Sequence, residues 1–383
     1  MTYARQRLWL GITGVGTTVI LCAATILFDL PHRFIHPLAD TSFTTALAFV
    51  AFAWMIHAAV LFPIDVLGGA VVVRERTSVL AWLASWMRGV TVQWFWFALA
   101  AALLLRTAQQ FGMLYATLVF MLLQAVLVSR QSAIAWLVGG LSPIDSSPDL
   151  QAAASAAGIA VHTVREVRVS DPSFVGAWTG TDAKHLWVPQ RWVTSLSPEQ
   201  LVVALARRTG VRALGLRRRG LLVAIAWNTL GFVLATAAPR ADLVTAAGFV
   251  TTIAWFTLWS FVGVLILPSL SRPAVYAADR WARSSHDAEV VTATITQLDR
   301  WQDDEAERSP RVETIFHPVP SRQSRIRRLE GTIQPTDPVV VSPGAWHATR
   351  MMLYLSWAGV GLLARAVHCN VGRPAVWVML PGD

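Results

Sequence analysis

Long apolar runs alternate with two polar segments along this chain. Residues 8–30 form the first run, preceded by Arg5 and Arg7. It is too long for a signal-peptide core and lacks a small-residue cleavage site, so it predicts a retained membrane span. Residues 43–62, 90–105 (extended upstream to 79) and 111–128 predict three more. A Pro/Ser/Asp linker at 141–150 then opens a polar segment that runs to about residue 220. Within it, 151–157 is Ala-rich and predicts a helix. Residues 161–169, 173–179 and 185–188 predict strands from their β-branched and aromatic content. Residues 221–238 and 246–267 predict spans five and six, and a second polar segment covers 271–338. Residues 351–367 form one further apolar run, short for a span and carrying Arg365. It predicts a helix lying on the membrane surface or on the polar domain, in preference to a seventh span.

This pattern divides the chain into a four-span region (1–140), two halves of a polar domain (141–220 and 270–338), a membrane hairpin between them (221–269) and an apolar extension (339–383). The halves flank the hairpin and are expected to fold together. With the N-terminus inside, only Arg33, Arg106 and Arg240 face outward among the six spans. Both polar segments, which carry most of the arginines, then face the cytoplasm.

Composition sharpens the picture. The chain is 383 residues long, 54% hydrophobic and 14% charged, which excludes an ordinary soluble domain. Its net charge is +9, and Lys184 is the only lysine. The arginines sit beside apolar runs, so the charge reads as positive-inside anchoring and not as a nucleic-acid surface. Cys22 and Cys369 give neither a disulfide framework nor a metal spacing.

The strongest local signal is SPEQLVVALARRTGV, residues 197–211. Ser197 is a good N-cap, Pro198 suits the first helical position, and Gln200 completes a capping box. Leu201, Val202 and Leu205 follow at helical spacing. Three further patches accompany it in order: SFVGAWTG at 173–180, VYAAD at 275–279, and HPVPSRQSRIRRL at 317–329.

With the hairpin between the second and third patches, this arrangement resembles the HtpX and CAAX-prenyl-endopeptidase family of membrane zinc metallopeptidases. The resemblance implies a multi-pass α-helical membrane protein with a cytoplasmic α+β, gluzincin-like domain. In that family the 197–211 helix carries HExxH, in which two histidines four residues apart hold zinc and a glutamate acts as general base. Here Arg207 and Val211 stand at the histidine positions, Arg208 at the base, and Val275 at the third ligand, a glutamate in the family. The resemblance also implies a substrate groove along an edge strand, placed here at Phe174, Val175, Gly176, Ala177 and Trp178. It makes Asp279 and His317 survivors of the surroundings of the metal.

Guanidinium stays protonated and valine has no donor atom. No zinc or other cofactor is therefore expected. Asp279, without its histidine, needs a new partner, and Arg207 and Arg208 are the candidates. His32 and His36 form the chain's one HxxxH pair, but they lie between Pro31 and Pro37 and outside the membrane, where helical i,i+4 geometry is not expected. His57 lies inside span two with Asp65 just beyond it; together with Gln93 and Gln124 it is expected to make interhelical contacts. His317 is expected to shape a turn. Thr209 has no base or orienting acid that can be placed beside it.

The expected function is that of a membrane-embedded pseudopeptidase in a bacterial cytoplasmic membrane. Such a protein is a non-catalytic homologue that binds, scaffolds or regulates, with an extended peptide or another membrane protein as partner, in membrane protein quality control. Three alternatives are an active metallopeptidase with ligands elsewhere, a transporter, and a structural protein with a closed groove. The transporter reading is weakened by spans nearly devoid of charge.

Overall fold

The computed structural model describes residues 2–35, 42–73, 77–169, 174–181, 183–302, 304–317, 319–331, 345–358, 360–367 and 371–374. His36, Ser173 and Cys369 lie outside the described residues.

The membrane region begins with α1 (Tyr3–Leu27), a short α2 (Leu30–Phe34) and α3 (Phe43–Val66). It continues with α4 (Val79–Phe111), α5 (Met113–Ser129) and α6 (Gln131–Gly139). Asp29, in a left-handed conformation at φ 54°, ends the first run three residues before its apolar stretch does. Among the described residues, five helices are long and apolar enough to cross a membrane, and α5 with α6, bent by 74°, adds a sixth candidate when the pair is counted as one span. This is an integral membrane protein.

The polar domain starts with β1 (Pro143–Ile144), α7 (Pro148–Ala156), β2 (Val164–Val167), β3 (Ala177–Thr179) and β4 (His185–Pro189). The sheet order is β1-β2-β4-β3, antiparallel except for the central β2–β4 pair. After α8 (Gln190–Ser195) comes α9 (Pro198–Ala213). The membrane hairpin is α10 (Leu216–Thr236) and α11 (Ala246–Arg283). At 38 residues α11 is about 57 Å long, nearly twice the ~30 Å hydrocarbon core. It therefore runs unbroken through the expected boundary at 269/270 and carries the last span into the polar domain. There it meets α12 (Ala288–Gln302), α13 (Pro310–Phe316) and α14 (Arg322–Glu330).

Val203 and Ala206 of α9 share a core with Ala282, Val291 and Ile295, so the two halves do fold together. Arg5 contacts Glu305 at 3.0 Å, which puts the N-terminus on the side of the polar domain. Asp29 and Arg240, 3.4 Å apart, mark the opposite side.

The expectation for residues 351–367 is overturned. α15 (Ala345–Ser356) neither lies on a surface nor spans. It packs between α10 and α11, and its residues 351–355 are all buried. The chain then turns and returns through Leu362–Arg365, also buried. Irregular backbone at membrane depth is tolerated only where protein satisfies its polar groups. Asn228 donates to the Met352 carbonyl at 3.0 Å, the Leu362 N–H to Thr257 at 3.3 Å, and Tyr354 to the Leu127 carbonyl at 2.9 Å. The returning end is held by Asp65, which accepts from Arg365 at 3.0 Å, from Trp86 at 2.8 Å and from the Gly372 N–H at 3.1 Å. Arg7 adds bonds to the carbonyls of Gly68 and Val371. Gly69 must be glycine here, because a Cβ would stand 2.3 Å from the Gly372 carbonyl oxygen. The apolar run is thus a re-entrant segment filling the interior of the bundle.

Candidate functional site

α9 lies at the centre of the polar domain. Its start is capped as its sequence indicates: Ser197 Oγ accepts from the Gln200 N–H at 3.2 Å, and Gln200 accepts from the Ser197 N–H at 3.1 Å. From Val203 to Val211 every residue except Thr209 is buried. A helix enclosed on all sides presents no solvated face for its arginines. Gly210 allows α11 to approach, since a Cβ there would stand 2.6 Å from the Trp281 ring.

The two arginines find different partners. Arg207 donates from Nε to Asp279 Oδ1 at 2.7 Å. Arg325 on α14 approaches the same carboxylate with its fork, Nε to Oδ2 at 2.8 Å and Nη2 to Oδ1 at 2.7 Å. Asp279 is 1% exposed, and both arginines are buried. Two-point guanidinium–carboxylate pairing is both strong and directional. Burial alone pushes the Asp279 carboxyl pKa up, but the charges and hydrogen bonds of Arg207 and Arg325 outweigh it and hold the group below its ordinary value. The carboxylate therefore stays ionised and ties α9, α11 and α14 together.

Arg208 turns away from Asp279. Its Nη2 donates to the Val175 carbonyl at 2.6 Å, its guanidinium carbon lies 5.5 Å from the centre of the Trp192 ring, and its own carbonyl accepts from Trp178 Nε1 at 2.9 Å. Val211 packs with Ala274, Ala278 and Leu216 in an apolar cluster, and Val275 is buried. The positions to which the resemblance assigns zinc ligands thus hold an ion cluster on one side and buried aliphatic side chains on the other.

The expected strand over residues 174–178 needs correcting. Pairing begins only at Ala177, because Gly176 has φ 80° and its α-carbon sits against the Trp187 carbonyl, where a Cβ would come within 3.0 Å. β3 does stand at the edge of the sheet, but Phe174, Val175, Gly176, Ala177 and Trp178 are all buried. The Val175 carbonyl, which an added peptide would use, is already taken by Arg208.

A zinc ion needs three or four N, O or S donors. Arg207, Arg208, Val211 and Val275 supply none, and both oxygens of Asp279 accept from guanidinium groups. The residues present do not fit the metal. Among the described residues, no group of three His, Cys, Asp or Glu side chains converges elsewhere.

Of the other candidates, Thr209 donates to the Leu205 carbonyl of its own helix at 3.2 Å. His317 is buried at the end of α13, in the turn leading to α14. His32 pairs with Asp29 at 2.8 Å. Gln124 donates across helices to Thr229 at 3.3 Å, as expected. Arg325 was missed. It lies in the quoted 317–329 patch, but four arginines crowd α14 and helical spacing alone does not show which one turns inward. The Asp65–Arg365 pair was missed because 300 residues separate its members.

No protein-family model matches the sequence, and no curated protein matches it. The fold does have a solved counterpart. The crystal structure of S. mikatae Ste24p superposes with a TM-score of 0.66 at 13% sequence identity, over 86% of this chain and 99% of that one. At that identity the likeness is one of fold alone.

Proposed function

We propose that this chain is a non-hydrolytic member of the membrane metallopeptidase fold that works by binding or scaffolding other membrane proteins, with its polar domain in the cytoplasm. The observation that carries the reading is the Arg207–Asp279–Arg325 cluster, which puts cations where the resemblance places a zinc ligand and its supporting carboxylate. A site built this way cannot lower the pKa of a bound water or polarise a carbonyl through a metal. The arginines flanking the spans support the cytoplasmic placement, and a role in a bacterial cytoplasmic membrane, beside proteins under quality control, fits that topology.

The test is metal analysis of the detergent-purified protein with a cleavage assay on the same sample. The expected result is zinc far below one ion per chain and no chelator-sensitive cleavage. Stoichiometric zinc with chelator-sensitive cleavage would overturn the reading.

One observation favours a second reading, in which the groove is permanently closed and the protein is structural. Peptide addition at the β3 edge requires Arg208 to release Val175. Arg208→Ala frees that carbonyl. A groove that binds peptides should then take up an extended peptide more tightly, whereas a structural protein takes up none in either form.

A further inference from the structure

A cavity of about 410 Å³ opens where the sheet meets α6, away from the Asp279 cluster. Two structural facts create it. On the sheet, the parallel register sets Arg165 of β2 beside Trp187 of β4, and His185 lies two residues before Trp187 on the same face. Opposite them stands α6, whose Ser132 and Trp136, four residues apart, line the other wall. Leu141, Ser142 and Pro143 close one end.

The polar groups that converge here are thinly engaged. Arg165 has one contact with Asp145, at 3.8 Å, and Asp145 is fully exposed. Such a pair holds its charge only weakly. Glu166, the neighbouring carboxylate, points to the other face of the sheet, where it is buried and accepts from the Ser147 N–H. The cavity is therefore cationic, with two hydroxyls and two indoles in its walls.

Its depth relative to the bilayer follows from α6. α5 is apolar and ends at Ser129, and the 74° bend turns α6 away from its axis. Trp136 and Leu137 are 52% and 43% exposed on α6, as side chains at the lipid–water boundary are. Arg88, at the polar-domain end of the span in α4, fixes this placement. It donates to the carbonyls of Leu137 at 2.8 Å and Trp136 at 2.7 Å, with its charge 5.9 Å from the Trp136 ring centre. An indole belt, a basic residue and a cationic pocket at one height are the chemistry of lipid headgroup recognition.

We propose that this cavity binds the phosphoryl group of an anionic phospholipid. Arg165 supplies the positive charge, His185, Ser132 and Ser142 offer hydrogen bonds to phosphate oxygens, and Trp136 packs on the glycerol and upper acyl carbons. The lipid then ties the sheet to the end of span four.

The full chain, reconstituted in nanodiscs of phosphatidylcholine with or without phosphatidylglycerol, provides the test, with retained lipid read by native mass spectrometry. The wild type should retain phosphatidylglycerol over phosphatidylcholine, and the Arg165→Gln, His185→Gln double variant should lose that preference by about tenfold or more. Asp145→Asn, which removes the competing carboxylate, should retain the anionic lipid at least as well as wild type. Circular dichroism melts confirm that the surface variants stay folded. Equal retention of both lipids by the wild type, or an unchanged preference in the double variant, would overturn the lipid assignment. A parallel arm adds inorganic phosphate to phosphatidylcholine nanodiscs. Thermal stabilisation of wild type but not of the double variant, without lipid preference, would keep the phosphoryl site and assign it to a soluble phosphate.

Discussion

Asp279 and Asp65 are both almost excluded from water, at 1% and 4% exposure, yet they are held by different company. Asp279 accepts from two guanidiniums that arrive from separate helices of the polar domain. Asp65 accepts from one guanidinium, one indole and one backbone N–H at the polar-domain end of the membrane bundle. The first cluster joins the two halves of a domain, and the second latches a re-entrant segment. A buried carboxylate is costly in either place, and what it does depends on which elements bring it partners.

The largest effect should come from Asp279→Ala. It removes the carboxylate that two buried guanidiniums share, at a cost of about 3–5 kcal/mol in denaturant unfolding of the full chain. A loss below about 1 kcal/mol would mean that water screens the cluster, and the contrast with Asp65 would collapse.

Asp65→Ala should cost less, about 2–3 kcal/mol, because two of the three donors it strands are neutral. Its signature is local: hydrogen-exchange protection should fall over residues 345–366 while α9 stays protected. Loss of protection in both regions would show that the two clusters are coupled.

Acid separates the clusters in another way. The folded-state pKa of Asp279 lies below its ordinary 3.8. Its contribution is therefore fully present above that value and is lost as pH falls through the depressed folded one. Stability measured against pH should drop on acidification below about 4 in the wild type, and this part of the drop should be missing in Asp279→Ala.

The smallest effect is Ser197→Ala, about 1 kcal/mol, from loss of the α9 cap. It tests whether the frame of the helix matters independently of the charges it carries.

The spans were legible because ~20 apolar residues have few other uses. The α9 cap was legible because Ser197, Pro198 and Gln200 act within one turn. The Asp279–Arg207 contact could be proposed only through the resemblance, since 72 residues separate the pair. Arg208 could not be told from Arg207 by sequence, because adjacent helical positions differ by only 100° and both faces of α9 are buried. The strand at 174–178 was misjudged because β-branched and aromatic residues favour pairing, whereas Gly176 at positive φ interrupts it. The 351–367 run was misread because apolar length measures affinity for a dry environment, and the interior of a bundle provides that as well as lipid does.

The re-entrant segment bears on biosynthesis. It follows the spans in the chain, yet it docks among α1, α5, α10 and α11. While the chain is being made, Asn228, Thr257 and Asp65 sit in inserted helices before their partners at Met352, Leu362 and Arg365 exist. The bundle must therefore stay loose, or hold water or lipid, until residues 345–372 have been made. Closure of the interior is then a post-insertion event, and a ribosome stalled before residue 345 would leave a membrane protein with its spans in place and an unfilled centre.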